Sequence, residues 1–174
     1  YGFARGLELF LRHDTSARFF GWVSYAYARS ERRDRPSDLW RLYSFDQTHV
    51  ATLTGNYNLS PTMEIGVKWQ YSSGNPYTPV VGSTLERHPT TGGLIYRPIF
   101  ADTNSGRLTP FHRLDVRINK AFSFNRWKMA VYFELLNVYN RKNLFRLSFD
   151  EDEGTYEKIF QLPIIPYLGV KAEF

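Results

Sequence analysis

Met63-Glu64-Ile65-Gly66-Val67-Lys68-Trp69-Gln70-Tyr71-Ser72 decides the fold. Every odd position is apolar or aromatic, and every even one is polar or small. Successive side chains of a strand point to opposite faces, so a period of two reads as a strand with one greasy and one wet face. The pattern recurs in Leu114, Val116, Ile118 and Phe122 against Arg113, Asp115, Arg117 and Asn119. It recurs again in Leu168, Val170, Ala172 and Phe174 against Tyr167, Gly169, Lys171 and Glu173. Looser copies run through Leu7–Leu11, Val23–Tyr27, Ala51–Leu59 and Met129–Leu135. The last of these breaks at Leu136-Asn137-Val138, where a bulge is expected.

Seven strands of roughly 10–14 residues follow, close to the length that crosses a bilayer when tilted. Their connections alternate. Residues 14–17, 60–62 and 124–126 read as tight turns, while 30–47, 74–110 and 140–161 read as long, polar, irregular loops. Short turns on one side and long loops on the other is the asymmetry of an outer-membrane barrel, whereas the strands of globular domains usually number about 5–6 residues. Bacterial single-chain barrels have an even strand count. The expectation is therefore the C-terminal part of a larger all-β, antiparallel, up-and-down transmembrane barrel, with 1–174 as barrel segment only. The alternatives are a small complete eight-stranded barrel with an adhesin or structural role, and a soluble β-sandwich binding module.

Composition narrows the classes. The chain has 174 residues, of which 43% are hydrophobic and 17% aromatic, with 14 Phe, 12 Tyr and 4 Trp. Disordered chains are poor in aromatics. The mean hydropathy is −0.42, and no run of 18 apolar residues offers a transmembrane helix, which leaves membrane strands open. The net charge of +5 suits acidic lipid headgroups, an anionic ligand or nucleic acid. Nucleic acid is disfavoured because the aromatics lie on the greasy faces, away from the basic residues. There is no Cys, so disulfides and thiolate chemistry are excluded.

Several segments resemble TonB-dependent outer-membrane receptors. Arg5-Gly6-Leu7-Glu8-Leu9 looks like the family's RGxEL strand, and Phe45-Asp46-Gln47-Thr48-His49 like its (Y/F)DQxH strand start. Ser73-Gly74-Asn75-Pro76-Tyr77-Thr78-Pro79 resembles SGxPYTP, and 107–115 resembles RLPPFHRLD. Asn137-Val138-Tyr139-Asn140-Arg141 is similar to NVxNR. Leu168, Val170 and the terminal Phe174 resemble the C-terminal signature recognised by the barrel assembly machinery, departing from it at Ala172. The order matches the last third of such a receptor. The resemblance implies a 22-stranded barrel around an N-terminal plug, in the cell outer membrane, taking up a scarce ligand of the siderophore-iron, cobalamin or carbohydrate class. TonB would act only through the plug portion, which is absent here.

Candidate site residues are few. Arg113, Asp115, Arg117 and Glu134 are the expected plug-facing lumen set. Arg32, Arg33, Arg35 and Trp40, within a loop read as 29–41, are weak candidates for binding an anionic ligand or lipopolysaccharide phosphate. His13, His49, His88 and His112 fit no paired metal motif and read as structural or interfacial. Asp150–Glu153 lacks EF-hand spacing and reads as the turn of a hairpin formed by Phe145–Asp150 and Thr155–Phe160. No nucleophile elbow, P-loop or dinucleotide fingerprint is present. No catalytic residue, metal or cofactor is expected.

Overall fold

A computed structural model of the chain describes residues 1–14 and 18–174. Its elements are β1 (Gly2–His13), β2 (Phe19–Arg32), β3 (Arg41–Leu42), β4 (His49–Ser60), β5 (Met63–Ser72), β6 (Pro76–Tyr77), β7 (Val80–Arg87), β8 (Leu94–Phe100), β9 (Gly106–Arg107), β10 (Phe111–Ser123), β11 (Lys128–Leu136), β12 (Leu144–Asp150), β13 (Thr155–Phe160) and β14 (Ile165–Glu173). One large antiparallel sheet runs β1-β2-β4-β5-β10-β11-β14, with β3 pairing the end of β2. These are the seven strands that the alternation marks. Each pairs with the next long strand, so the chain runs up and down. Among the described residues the sheet is open, with β1 and β14 at its edges. No closed barrel is formed among the described residues; the all-β, antiparallel, up-and-down part of the expectation is what this sheet shows.

Register carries the two faces across the whole sheet. Val116 sits between Val67 and Leu135, and Ile118 between Ile65 and Phe133. Phe133 faces Leu168, and Val131 faces Val170. On the other flank Leu53 lies between Trp69 and Val23, and Val23 faces Leu11. A one-residue slip would move any strand's apolar set to the opposite face. Lys120 intrudes on the apolar face near the turn side, and its ammonium reaches back to Thr62 Oγ1 at 2.9 Å. That is the snorkelling of a long cation past apolar neighbours.

Nothing among the described residues covers the apolar face. Leu7 is 71% and Val170 63% exposed, and the only buried hydrophobic side chains among the described residues are Ile95 and Leu108, both outside the seven strands. The molecule exposes 12283 Å², against about 8,800 Å² expected for a compact protein of 20.4 kDa.

Short connections at 61–62 and 124–127 lie at one end of the sheet, and the three long ones at the other. The expected turn at 14–17 falls, for residues 15–17, outside the described residues. The expected hairpin around 150–153 is present as β12–β13. The expected bulge is also present. Asn137 adopts φ 55°, and the Val138 amide donates to Leu114 O, so one residue is inserted relative to the register.

Two loop expectations need correction. Segment 74–110 is not irregular: β7 and β8 form a hairpin within it, and β6 pairs with β9. The strand signal is blurred by Pro98, which cannot donate to a ladder, though Gly92-Gly93 marks the turn, with Gly92 at φ 71°. The loop read as 29–41 is shorter than that, because Arg29 and Arg32 belong to β2 and Arg41 to β3. The two hairpins brace each other: the Tyr96 amide donates to Glu151 O, and Arg97 pairs with Glu151 at 3.2 Å.

Gly74 fixes how the 73–79 segment meets 107–109. A Cβ there would stand 1.9 Å from Leu108 O, so only glycine allows the approach. Replacing Gly74 by Ala should destabilise the protein by roughly 1–3 kcal/mol. Gly82→Ala, whose new Cβ meets nothing closer than 3.8 Å, should be near neutral. Thermal midpoints of the two variants check this, and equal midpoints would refute it.

Candidate functional site at the loop-side rim

The polar side chains that are buried gather where the long loops join the sheet. Asp46, Ser72, Ser73, Asp115, Asn137 and Asn143 are all buried. An isolated buried carboxylate or amide is costly, so each needs partners.

Asp46 is the first hub. It accepts from the Ser30 amide at 2.7 Å, from Thr48 Oγ1 at 2.8 Å and from Arg107 Nη2 at 2.7 Å. Arg107 also donates to Asp46 O and Gly74 O, at 3.0 and 2.8 Å. One guanidinium thereby ties 46–48, 74 and β9 together. Asn104 adds a second tie, donating from Nδ2 to Leu42 O at 2.8 Å and from its amide to Thr78 Oγ1 at 3.1 Å. Burial pushes the Asp46 carboxyl up, but the bonds from Arg107, Ser30 and Thr48 outweigh it and hold the group below its ordinary value of 3.8.

Asn137 and Asn143 form the second hub. The Asn137 amide donates to Asp115 Oδ1 at 2.9 Å. Its Nδ2 donates to Arg141 O and Leu162 O, and its Oδ1 accepts from the Arg141 amide. Asn143 accepts from the His112 amide and from Arg141 Nε, and donates to His112 O at 3.0 Å. Asn tolerates the left-handed backbone that the bulge requires, and its short amide satisfies neighbouring backbone groups.

The expected lumen set shares the polar face of the sheet. Arg113 pairs with Asp115 at 2.9 Å and reaches Gln70. Arg117 pairs with Glu134 at 3.5 Å, donates to Asn119 at 2.7 Å and lies 3.9 Å over the Tyr132 ring. Asn119 donates on to Glu64 at 3.1 Å. Asp115 is thus committed to the rim knot as well as to Arg113. Above Arg113 opens a cavity of about 410 Å³, walled by Phe111, Asn143, Phe145 and Phe160.

The weak loop candidates pack partly on one another and partly on the start of the chain, where Arg33 exchanges backbone hydrogen bonds with Tyr1 and Trp40 meets the Phe3 ring edge-on at 4.9 Å. Arg32 stacks 3.5 Å over Tyr43 and Arg33 4.7 Å over Trp40, while the Arg35 amide donates to Asp38. The structure does not bring the four together around one cavity. The terminal set lies on the apolar edge: Leu168 and Val170 face Phe133 and Val131, and Phe174 stacks on Trp127, which stacks on Phe124 at 4.3 Å.

Two histidines mark the loop-side margin of the apolar face. His49 Nδ1 bonds the Tyr25 hydroxyl at 2.8 Å, and His112 Nδ1 bonds the Tyr139 hydroxyl at 2.7 Å. The acidic run at 150–153 closes its own turn, with Asp150 Oδ1 accepting from the amides of Asp152 and Glu153. No group of three metal-ligating side chains occurs among the described residues.

Asp46 and Arg107 lie inside quoted motifs, but nothing in their local sequence assigns them a role. They stand 61 positions apart, and no local pattern signals their pairing. Asn143 carried no signal at all.

Because Asp46 is depressed in the folded protein, its stabilisation is fully present above about pH 4 and is lost as pH falls through the depressed value. Asp46→Asn should accelerate exchange of the Ser30 amide at neutral pH, and the gap from wild type should close below pH 4. Hydrogen exchange across pH 2–7 reads this; a gap independent of pH would refute it.

No protein-family model matches the chain, and no curated protein or solved structure matches it either.

Proposed function

We propose that the chain is a barrel segment of a TonB-dependent outer-membrane receptor, serving energy-coupled uptake of a scarce ligand. The observation that carries the membrane part is the apolar face across seven strands, interrupted only near the turn side by Lys120, with nothing from the described residues over it. Water is a poor solvent for such a face, since large apolar patches on soluble monomers rarely exceed a few hundred Å². Its height also suits a bilayer. From His112 to Phe122 is ten residue steps along β10, roughly 33 Å, or about 25 Å once tilted like a barrel strand. Tyr25, Tyr27, Trp69 and Tyr71 border the loop side of that band, and Phe122, Phe124 and Trp127 the turn side, as aromatic girdles do.

The polar face would then line the lumen, with Arg113, Arg117 and Glu134 toward a plug. Edges β1 and β14 would be completed by further barrel strands, because an unpaired strand edge is not tolerated in hydrocarbon. Five segments that resemble receptor motifs support the receptor part. Four of them (45–49, 73–79, 107–115 and 137–141) converge on the two rim hubs, as a loop-bearing barrel mouth would require.

Val116→Arg should cost about 2–4 kcal/mol in lipid, whereas Thr52→Arg, between Ser24 and Gln70 on the polar face, should cost much less. Urea unfolding of the full protein in lipid vesicles measures both, and equal costs would reverse the face assignment. For uptake, a deletion strain of the parent organism should lose accumulation of one among a labelled iron–siderophore, cobalamin and a maltodextrin. In the wild type a protonophore should abolish that accumulation. Unchanged accumulation of all three would sink the receptor reading.

A further inference from the structure

A second cavity, of about 470 Å³, opens between the 107–109 segment, the 141–144 turn and the β12–β13 hairpin. Four cations from three separate segments surround it: Arg107, Arg141, Lys142 and Lys158. No Asp or Glu lines it. Its remaining wall is apolar and aromatic, chiefly Tyr77, Leu108, Leu144, Leu147 and Phe160.

The cations divide into fixed and free. Arg107 is neutralised by Asp46 and serves as a buttress. Arg141 donates from Nε to Asn143 Oδ1 at 3.1 Å and from Nη2 to Pro110 O at 3.3 Å. Its guanidinium is held in place by neutral acceptors, so its charge is uncompensated and Nη1 is unengaged. Lys142 and Lys158 are exposed, and their ammonium groups have no hydrogen-bond or ion-pair partner among the described residues. Three unpaired positive charges around one apolar-walled space repel one another, and the low-dielectric wall strengthens their field. An anion placed among them relieves that repulsion and gains charge-assisted hydrogen bonds.

From this geometry we infer that the cavity is a binding site for a small organic anion, a phosphate or carboxylate group carried on an apolar or aromatic body. The anionic group meets Arg141, Lys142 and Lys158, and the body packs on Tyr77 and Phe160. The cavity lies in the size range of small-molecule sites, about 300–1,000 Å³. The residues are all this chain's own, so the inference goes beyond the receptor reading and does not rest on it. It also differs from the Arg32–Trp40 loop, where Arg32 and Arg33 lie over Tyr43 and Trp40.

The test is equilibrium dialysis of 1-naphthyl phosphate against the full protein in detergent. Saturable binding is expected, absent with 2-naphthol, and weakened about tenfold or more in Lys142→Gln/Lys158→Gln. Arg126→Gln, at the opposite end of the sheet, should bind as wild type does. Circular dichroism and the thermal midpoint verify that both variants are folded. Displacement by lipopolysaccharide micelles would assign the anion to a lipid headgroup, and displacement by benzyl phosphate alone to a free molecule. Either outcome supports the site. No saturable binding by the wild type, or equal binding by the folded double-lysine variant, would overturn it. A protein that fails to insert into lipid yet binds the probe would retain this inference and lose only the membrane reading.

Discussion

Everything in this structure depends on one constraint: a two-residue alternation kept in phase through six strand pairings. The period of a strand is two, so phase errors are all or nothing. Val23, Leu53, Trp69 and Leu114 occupy one row, and Val67, Val116 and Leu135 another. That phasing produces a face that none of the described residues buries. In a water-soluble domain such a face would be the core, covered by a second layer. No such layer is present among the described residues; under the membrane reading proposed above, lipid would take its place.

The consequence is an inverted interior. Two hydrophobic side chains are buried among the described residues, against six polar ones. Specificity of the fold therefore rests on hydrogen bonding at the rim more than on close packing. Arg107 with Asp46, and Asn137 with Asp115, hold together segments far apart in sequence, and each hub is well supplied with partners. Fully satisfied polar networks rigidify, whereas a single missing partner leaves a costly buried group. The turn side needs no such knots, because its connections are short and the stacked rings of Phe124, Trp127 and Phe174 close it.

This division of labour separates scaffold from chemistry. The residues inside the receptor-like motifs mostly face one another and serve to seat the loops. The groups without internal partners lie at their margin: the free edge of Arg141, the last residue of one motif, and Lys142 and Lys158 beyond it. A rigid rim that carries unpaired charges on its margin is a preorganised arrangement, in which little ordering remains to be done when an anion arrives.

Strand content, the two faces, the turn and loop sides, the bulge at 136–138 and the β12–β13 hairpin were legible from residue order, because each depends on neighbours within a few positions. Periodicity could not reveal the β7–β8 hairpin, where Pro98 interrupts the strand signature, or the bond by which Lys120, in phase with Ile118 and Phe122 on the apolar face, reaches Thr62. Nor could it reveal the Asp46–Arg107 pair, or a cavity whose cations come from positions 107, 141, 142 and 158. Local alternation reports which way a side chain points. Which distant groups then meet is set by sheet register and by loops folding back over the rim, and those are properties of the assembled chain.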